Sequence, residues 1–262
     1  MRARAVKPLW GSPGAVLEAM RAGSWDLDPE LAALQSSIDL AAKSGAARAP
    51  TDWLPDVDTS TGRNAIDVGD RCAEILFECR APRLVLLADL LSAEECDALI
   101  TAASPGLERS GTLDDERGTS ISERRTSRSV FLRLGETPVC RRLESRIEAL
   151  LHWPAAQAEG LQVAHYGPGE EFLPHYDFFL PGSAAARQGP QRVGTLICYL
   201  NTPDCGGRTV FPDLGLSVSP HRGSALFFSY EVPSPFTRTL HAGTPVLAGE
   251  KWIATKWLTK LA

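Results

Sequence analysis

Pro174-His175-Tyr176-Asp177-Phe178-Phe179 is the stretch on which the reading of this chain turns. His175 and Asp177 stand two apart in a β-type run, so their side chains leave the same face of a strand and can converge on one ion. Imidazole plus carboxylate is a ligand set for a borderline divalent metal, and one more ligand is needed. His241 is the natural third. Two histidines and one carboxylate on one side of Fe(II) leave three positions for a bidentate co-substrate and O2. The same side chains suit Zn(II), whose catalytic sites usually keep a single open position. A His-x-Asp pair alone does not choose between them.

Further along, Lys251 opens a strand whose odd-numbered positions, Lys251, Ile253, Thr255 and Trp257, share a face. A buried ammonium is costly unless it meets an anion, and no acidic residue shares that strand face. An inward Lys251 therefore demands a carboxylate partner. The surrounding region, from Leu161 onward, is a series of short β-rich runs separated by Gly and Pro: 161–166, 172–177, 193–200, 208–211, 224–230, 238–242 and 252–258. Such a series implies a sandwich or barrel. Its aromatic and aliphatic inward face is expected to include Ile197, Phe211, Phe227 and Phe228.

Upstream the pattern is helical. Ser92 with Glu95 makes a capping box for a helix running to about Ala103, and Thr137-Pro138 starts a second that carries Val139, Leu143, Ile147 and Leu150 on one face. The first eighty residues also read as helices, with Ser12-Pro13 and Asp28-Pro29 as starts and Gly23 and Gly45 as stops. Pro, Asp, Thr, Ser and Gly mark a linker between Pro50 and Gly69. The expected organisation is an N-terminal helical extension and linker over 1–80, then one domain over 81–262. Residues 104–128 are polar and without a sustained period, which predicts a long surface loop and a candidate lid.

Composition narrows the classes further. The 44% hydrophobic and 23% charged content of these 262 residues belongs to a globular protein able to bury a core. A net charge of -5 gives no general attraction to nucleic acid or anionic membrane, and Arg124, Arg125 and Arg128 read as a solvated loop. The longest aliphatic run, Leu84 to Ala88, is too short to span a bilayer. Arg2, Arg4 and Lys7 are followed by Pro8, Trp10 and Gly11 rather than by an apolar segment, so a cytoplasmic protein is expected. Six cysteines contain no Cys-x-x-Cys pair, and buried free thiols are the expectation.

Taken in order and spacing, Leu161-Gln162-Val163-Ala164-His165-Tyr166-Gly167, Pro174 to Phe179, Gly206-Gly207-Arg208-Thr209-Val210-Phe211-Pro212, His241-Ala242-Gly243-Thr244-Pro245-Val246 and Gly249-Glu250-Lys251-Trp252 through Lys256-Trp257 resemble the prolyl 4-hydroxylase branch of the Fe(II)/2-oxoglutarate dioxygenases. The match covers roughly Leu84 to the C-terminus. It implies a mainly β fold with flanking helices, whose core is a double-stranded β-helix, the cupin-like jelly-roll. It also implies Fe(II) as metal, 2-oxoglutarate and O2 as co-substrates, and ascorbate as a reductant. On the matching positions, His175, Asp177 and His241 fall on the metal ligands. Lys251 falls on the cation for the distal carboxylate of 2-oxoglutarate, and Tyr166 and Thr209 on hydroxyls that help hold it. Arg192 and Trp257 fall on positions associated with the substrate to be hydroxylated.

The substrate is read less directly. The short segment from Leu180 to Gln191 leaves little material for a clamp, which favours a free cyclic amino acid of the proline or pipecolate type, with Arg192 or an arginine of the 124–128 cluster meeting its carboxylate. The alternative is a prolyl residue within a peptide or protein. A sensor that binds metal and 2-oxoglutarate without turnover is the minor alternative, disfavoured because both the triad and Lys251 are retained.

Overall fold

From Leu161 onward the strand-forming runs appear close to where local signals put them, as do the two capped helices, and hydrogen bonding sorts the strands into two main sheets and two two-stranded pairs. The computed structural model describes residues 54–114, 118–187 and 189–260. The helices expected between Ser12 and Gly45 lie outside the described residues. In chain order the strands are β1 (Ala65–Asp67), β2 (Cys72–Arg80), β3 (Arg83–Ala88), β4 (Glu108–Arg109), β5 (Gly111–Asp114), β6 (Gly118–Ile121), β7 (Arg128–Leu132), β8 (Leu161–Tyr166), β9 (Phe172–His175), β10 (Arg192–Tyr199), β11 (Cys205–Gly206), β12 (Thr209–Phe211), β13 (Leu216–Val218), β14 (Ala225–Ser229), β15 (His241–Gly243), β16 (Val246–Ala248) and β17 (Lys251–Thr259). The helices are α1 (Ala93–Ala103) and α2 (Pro138–Leu151).

Nine strands form one antiparallel sheet in the order β1-β2-β3-β14-β10-β17-β8-β7-β4, and four form a second in the order β13-β12-β15-β9. This is the expected jelly-roll, mainly β with helices on the outside. Strand alternation separates two apolar layers. Tyr199, Phe211, Leu226, Phe228 and Ile253 fill the space between the sheets. Val163, Leu196, Phe227 and Ala254 face the other way, against Leu99, Leu143, Ile147 and Leu150 of the helices. Phe227 therefore leaves the inward group expected for it, because adjacent residues of one strand point to opposite faces.

Both helix starts are made by local side chains. Ser92 Oγ accepts from Glu95 N at 3.2 Å while Glu95 Oε2 accepts from Ser92 N at 2.9 Å, the reciprocal capping box. Thr137 Oγ1 accepts from Cys140 N at 3.1 Å, with Pro138 in the first turn. α2 is also pinned to the sheet by charge. Lys256, on the outer face of β17, is 1% exposed and meets Glu144 Oε1 at 3.1 Å, while Glu144 Oε2 accepts from Gly135 N at 2.9 Å. Removing one member of a buried pair strands the other charge, at a cost of about 3–5 kcal/mol. We expect Glu144→Ala to lose about that much in urea unfolding, and the Glu144→Leu, Lys256→Met double variant to recover most of it. Equal stability of wild type and Glu144→Ala would contradict this.

Three expectations need correction. The helical reading of residues 1–80 fails at its end, where β1 and β2 are strands of the large sheet. β2 pairs with β3 through the turn at Ala81-Pro82, so that hairpin straddles the boundary expected after residue 80. Cross-strand partners supplied by β3 decided the conformation there, overriding weak local preference. The loop at 104–128 contains structure of its own: β4 pairs with β7, and β5 and β6 form a hairpin. Three of the six cysteines, Cys96, Cys140 and Cys198, are buried free thiols as expected, whereas Cys72 and Cys205 are free and exposed.

Candidate active site

Antiparallel register explains why two histidines far apart in sequence meet. β15 pairs with β9 so that His241 lies directly opposite His175, and their rings are 4.3 Å apart between centroids. Phe172 stacks on His175 at 3.6 Å, and Phe228 meets His241 edge-on at 4.8 Å, which fixes both rings. Asp177 follows the end of β9. Its Oδ1 and Oδ2 lie 3.6 Å from His175 Nε2 and His241 Nε2 respectively, and all three ligand atoms fall within 4.8 Å of one another.

The hydrogen bonds behind these groups set their chemical state. His175 Nδ1 lies 2.8 Å from Leu173 O, and His241 Nδ1 lies 3.0 Å from Thr239 O. A carbonyl only accepts, so each Nδ1 carries a proton and Nε2 is the ring nitrogen left to bind a metal. Burial, reinforced by His241, pushes the His175 pKa down to about 3, keeping it a neutral donor. Burial alone would raise Asp177, yet His241, His175, Arg192 and the Thr195 hydroxyl outweigh it and hold the group below the usual carboxylate range. Two imidazoles and one carboxylate on a single side of a cavity fit a divalent metal with open positions.

The same cavity contains the lone ammonium. Lys251 is 3% exposed, and burial lowers its pKa to about 7. It has no carboxylate partner among the described residues. Across the ladder it sits opposite Tyr166, with Nζ 5.3 Å from that ring's centroid. Thr209 also lines the cavity, and its hydroxyl accepts from Tyr199 Oη at 2.8 Å. A buried cation that shares one cavity with Tyr166, Thr209 and a metal ligand set is a receptor for a carboxylate. The donor set and the orphaned ammonium thus fit Fe(II) together with 2-oxoglutarate. Room beside Lys251 depends on glycine: a Cβ on Gly207, whose φ is +65°, would lie 3.2 Å from Lys251 Cδ, and one on Gly243 would lie 3.6 Å from Nζ itself.

Of the two residues expected at the substrate, Trp257 lines the cavity and Arg192 does not. Arg192 lies behind, its guanidinium 3.9 Å over the Trp257 ring and 4.8 Å over Phe179. Glu159 takes its charge through contacts of 2.5 and 2.8 Å. The solvated loop expected at 124–128 needs correction at Arg125, one of a cluster also expected at a substrate carboxylate, and Thr195 and Tyr199 of the cavity's surround were missed from the sequence. Arg125 is buried in the cavity wall, donates to Gln162 Oε1 at 2.7 Å and to Ser127 Oγ at 3.0 Å, and meets no acidic side chain among the described residues. Thr195 and Tyr199 share the inward face of β10 with Ile197, a period-two signal that was present in the sequence. Arg125 sent no such signal, because its place comes from backbone pairing of residues 124–126 with β9, through Leu173 N to Arg124 O at 2.8 Å and Thr126 N to Glu171 O at 3.0 Å.

Comparison with known proteins agrees with this geometry. The family model of the 2OG-Fe(II) oxygenase superfamily matches residues 161–259. The chain is 37% identical over 212 residues to probable prolyl 4-hydroxylase 3 of Arabidopsis thaliana, covering 72% of this chain and 73% of that one. It is 38% identical over 183 residues to prolyl 4-hydroxylase subunit alpha-1 of Gallus gallus, covering 68% of this chain and 36% of that one. Among solved structures it is similar to the viral collagen prolyl hydroxylase of Paramecium Bursaria Chlorella virus-1 in its 2OG complex, with a TM-score of 0.54 and 31% identity, covering 68% of this chain and 96% of that one. Among the described residues, no helix is long and apolar enough to cross a membrane. By the match to these relatives, and by a cavity suited to Fe(II), 2-oxoglutarate and O2, the chain belongs to the prolyl 4-hydroxylase family of Fe(II)/2-oxoglutarate-dependent dioxygenases.

Proposed function

We propose that this enzyme hydroxylates prolyl residues within a peptide or protein. The observation that carries this over a free amino acid is the Arg192–Glu159 pair. A free amino acid needs a counter-charge for its carboxylate; of the arginines expected to supply one, Arg192 is already neutralised, and Arg125, which lines the cavity, turns its Nε and one Nη to Ser127 and Gln162. The relatives point the same way, since one of them is named for collagen. The free proline or pipecolate expected from the sequence gives way to the alternative for a physical reason. The segment 180–191 is short, but residues 124–126, bonded beside β9, supply material for a second wall.

In this reading His175, Asp177 and His241 hold the iron. Lys251 binds the distal carboxylate of 2-oxoglutarate, with the Tyr166 and Thr209 hydroxyls beside it. When bound, the metal with 2-oxoglutarate and O2 supplies the oxidising power, releasing succinate and CO2 as the substrate gains a hydroxyl; ascorbate serves as reductant. The residues around it orient and exclude. Phe211 and Phe228 keep the inner wall dry. Trp257, backed by Arg192 and Phe179, offers a flat face to a pyrrolidine ring, and Arg125 has donors for a main-chain carbonyl.

The deciding measurement supplies Fe(II), ascorbate and 2-oxoglutarate and follows succinate and product mass across proline-containing peptides, free proline and pipecolate. We expect an added oxygen on peptidyl proline. Efficient oxidation of the free amino acids with none on peptides would overturn the proposal. A second prediction separates the roles of the outer residues. Trp257→Ala should raise the KM for peptide by about tenfold or more, the loss of roughly 1–2 kcal/mol of aromatic contact, and leave the 2-oxoglutarate KM unchanged.

A further inference from the structure

Asp177 is gripped by more than its histidine neighbours. Thr195, fully buried on β10, donates to Asp177 Oδ2 at 2.8 Å, and Tyr230 Oη lies 3.1 Å from the same Thr195 oxygen. The direction of this chain follows from counting hydrogens. An ionised carboxylate only accepts, so the single hydroxyl hydrogen of Thr195 is committed to it, and Tyr230 must then donate to Thr195. Burial keeps the phenol protonated and so able to donate. The Tyr230 ring is held edge-on to Phe178 at 5.6 Å between centroids and is 2% exposed. Neither Tyr230 nor Thr195 is among the residues that line the cavity.

We propose that Tyr230, acting through Thr195, is a positioning residue that occupies Asp177 Oδ2 with a hydrogen bond and so leaves Asp177 to bind the metal through one oxygen. The inference rests on the Fe(II)/2-oxoglutarate reading of the site and adds to it a device for keeping positions open. Two imidazoles and one carboxylate oxygen leave three positions, two for a bidentate 2-oxoglutarate and one for O2. If both carboxylate oxygens bound, one of those three would be lost. Among the described residues, the other contact to Asp177 from this side is Arg192 Nη1, and it goes to the main-chain carbonyl at 3.2 Å. The carboxylate orientation therefore depends on the Tyr230–Thr195 relay. A donor that is itself hydrogen-bonded is polarised and donates more strongly, which is the contribution of Tyr230.

The test uses Co(II) as a spectroscopic substitute for iron and reads metal affinity and the ligand-field spectrum, with and without 2-oxoglutarate, for wild type, Tyr230→Phe, Thr195→Val and Thr195→Ser. Loss of an outer-shell partner costs about 10–100-fold in metal affinity. We expect about tenfold weaker Co(II) binding in Thr195→Val and, one bond further out, on the order of threefold in Tyr230→Phe. Both should alter the ligand-field bands of the form free of 2-oxoglutarate, and Thr195→Ser, which keeps the hydroxyl, should restore them. A role confined to packing would lower the melting temperature of Tyr230→Phe while leaving affinity and spectrum as in wild type, and that result would overturn the proposal. Wild type that failed to bind Co(II) stoichiometrically, with binding sensitive to His241→Ala, would instead overturn the metal site and the proposal with it.

Discussion

Asp177→Ala is expected to reduce 2-oxoglutarate-dependent succinate formation to background and to weaken divalent-metal binding by more than the about 10–100-fold typical of outer-shell losses. The size of the effect follows from what the residue is. Asp177 supplies the one negative charge of the ligand set, and it lies 3.6 Å from each of two imidazole nitrogens. Its removal leaves two imidazole donors in a buried cavity, where a divalent cation is poorly compensated. His175→Ala should act alike, since the Leu173 carbonyl fixes the tautomer that exposes its Nε2. The measurements are metal content after dialysis and succinate by chromatography. Turnover in Asp177→Ala close to that of wild type would remove the metal-centre assignment. A Thr195 hydroxyl left without its acceptor should cost Asp177→Ala only about 1–3 kcal/mol of stability, so the variant should still fold.

Lys251→Ala is expected to raise the 2-oxoglutarate requirement by at least about a hundredfold, because deleting one member of a buried ion pair costs about 3–5 kcal/mol and each 1.4 kcal/mol is tenfold. Metal affinity should be nearly unchanged, which separates this variant from Asp177→Ala. The free site adds a pH signature. Burial depresses Lys251 to about 7, so the ammonium is present below that pH and is lost as pH rises through it. A carboxylate binds the charged form, so binding above pH 7 takes up a proton and the apparent 2-oxoglutarate affinity should fall by up to about tenfold per pH unit. Lys251→Arg, which stays charged, should flatten that dependence whatever it does to the absolute affinity. If Lys251→Ala bound 2-oxoglutarate as wild type does, the assigned role would be wrong.

Taken together, these variants treat the cavity as two receptors that share walls. One is a metal face built on the β9–β15 register, the other a carboxylate face built on the β8–β17 register. The two ladders belong to different sheets, and the space between those sheets is what brings a cation and a metal site into one cavity. That arrangement also explains why Phe211 and Phe228 matter despite having no polar atoms. They contact His241 from the sheet interior, at 5.6 and 4.8 Å between centroids, and hold dry the region both receptors use.

Residue types and their spacing predicted a sandwich or barrel and singled out His175, Asp177, His241 and Lys251, while the jelly-roll and the roles of those residues came from the resemblance to the prolyl 4-hydroxylase branch. Period-two alternation fixes which side chains share a face, and a lysine facing inward without an acid declares a missing anion. The capping residues Ser92 and Thr137 likewise announced their helices, because a cap acts within one turn of chain. What needed the assembled sheets was every relation between strands distant in sequence. His241 faces His175 through ladder register, Glu159 neutralises Arg192 from 33 residues away, and Tyr230 reaches Asp177 through Thr195. The pairing of β2 with β3 and the seating of Arg125 against β9 belong to the same group. Each polar atom's partner is set by three-dimensional register, and the one-dimensional pattern that predicts a strand contains no information about which strand will lie beside it.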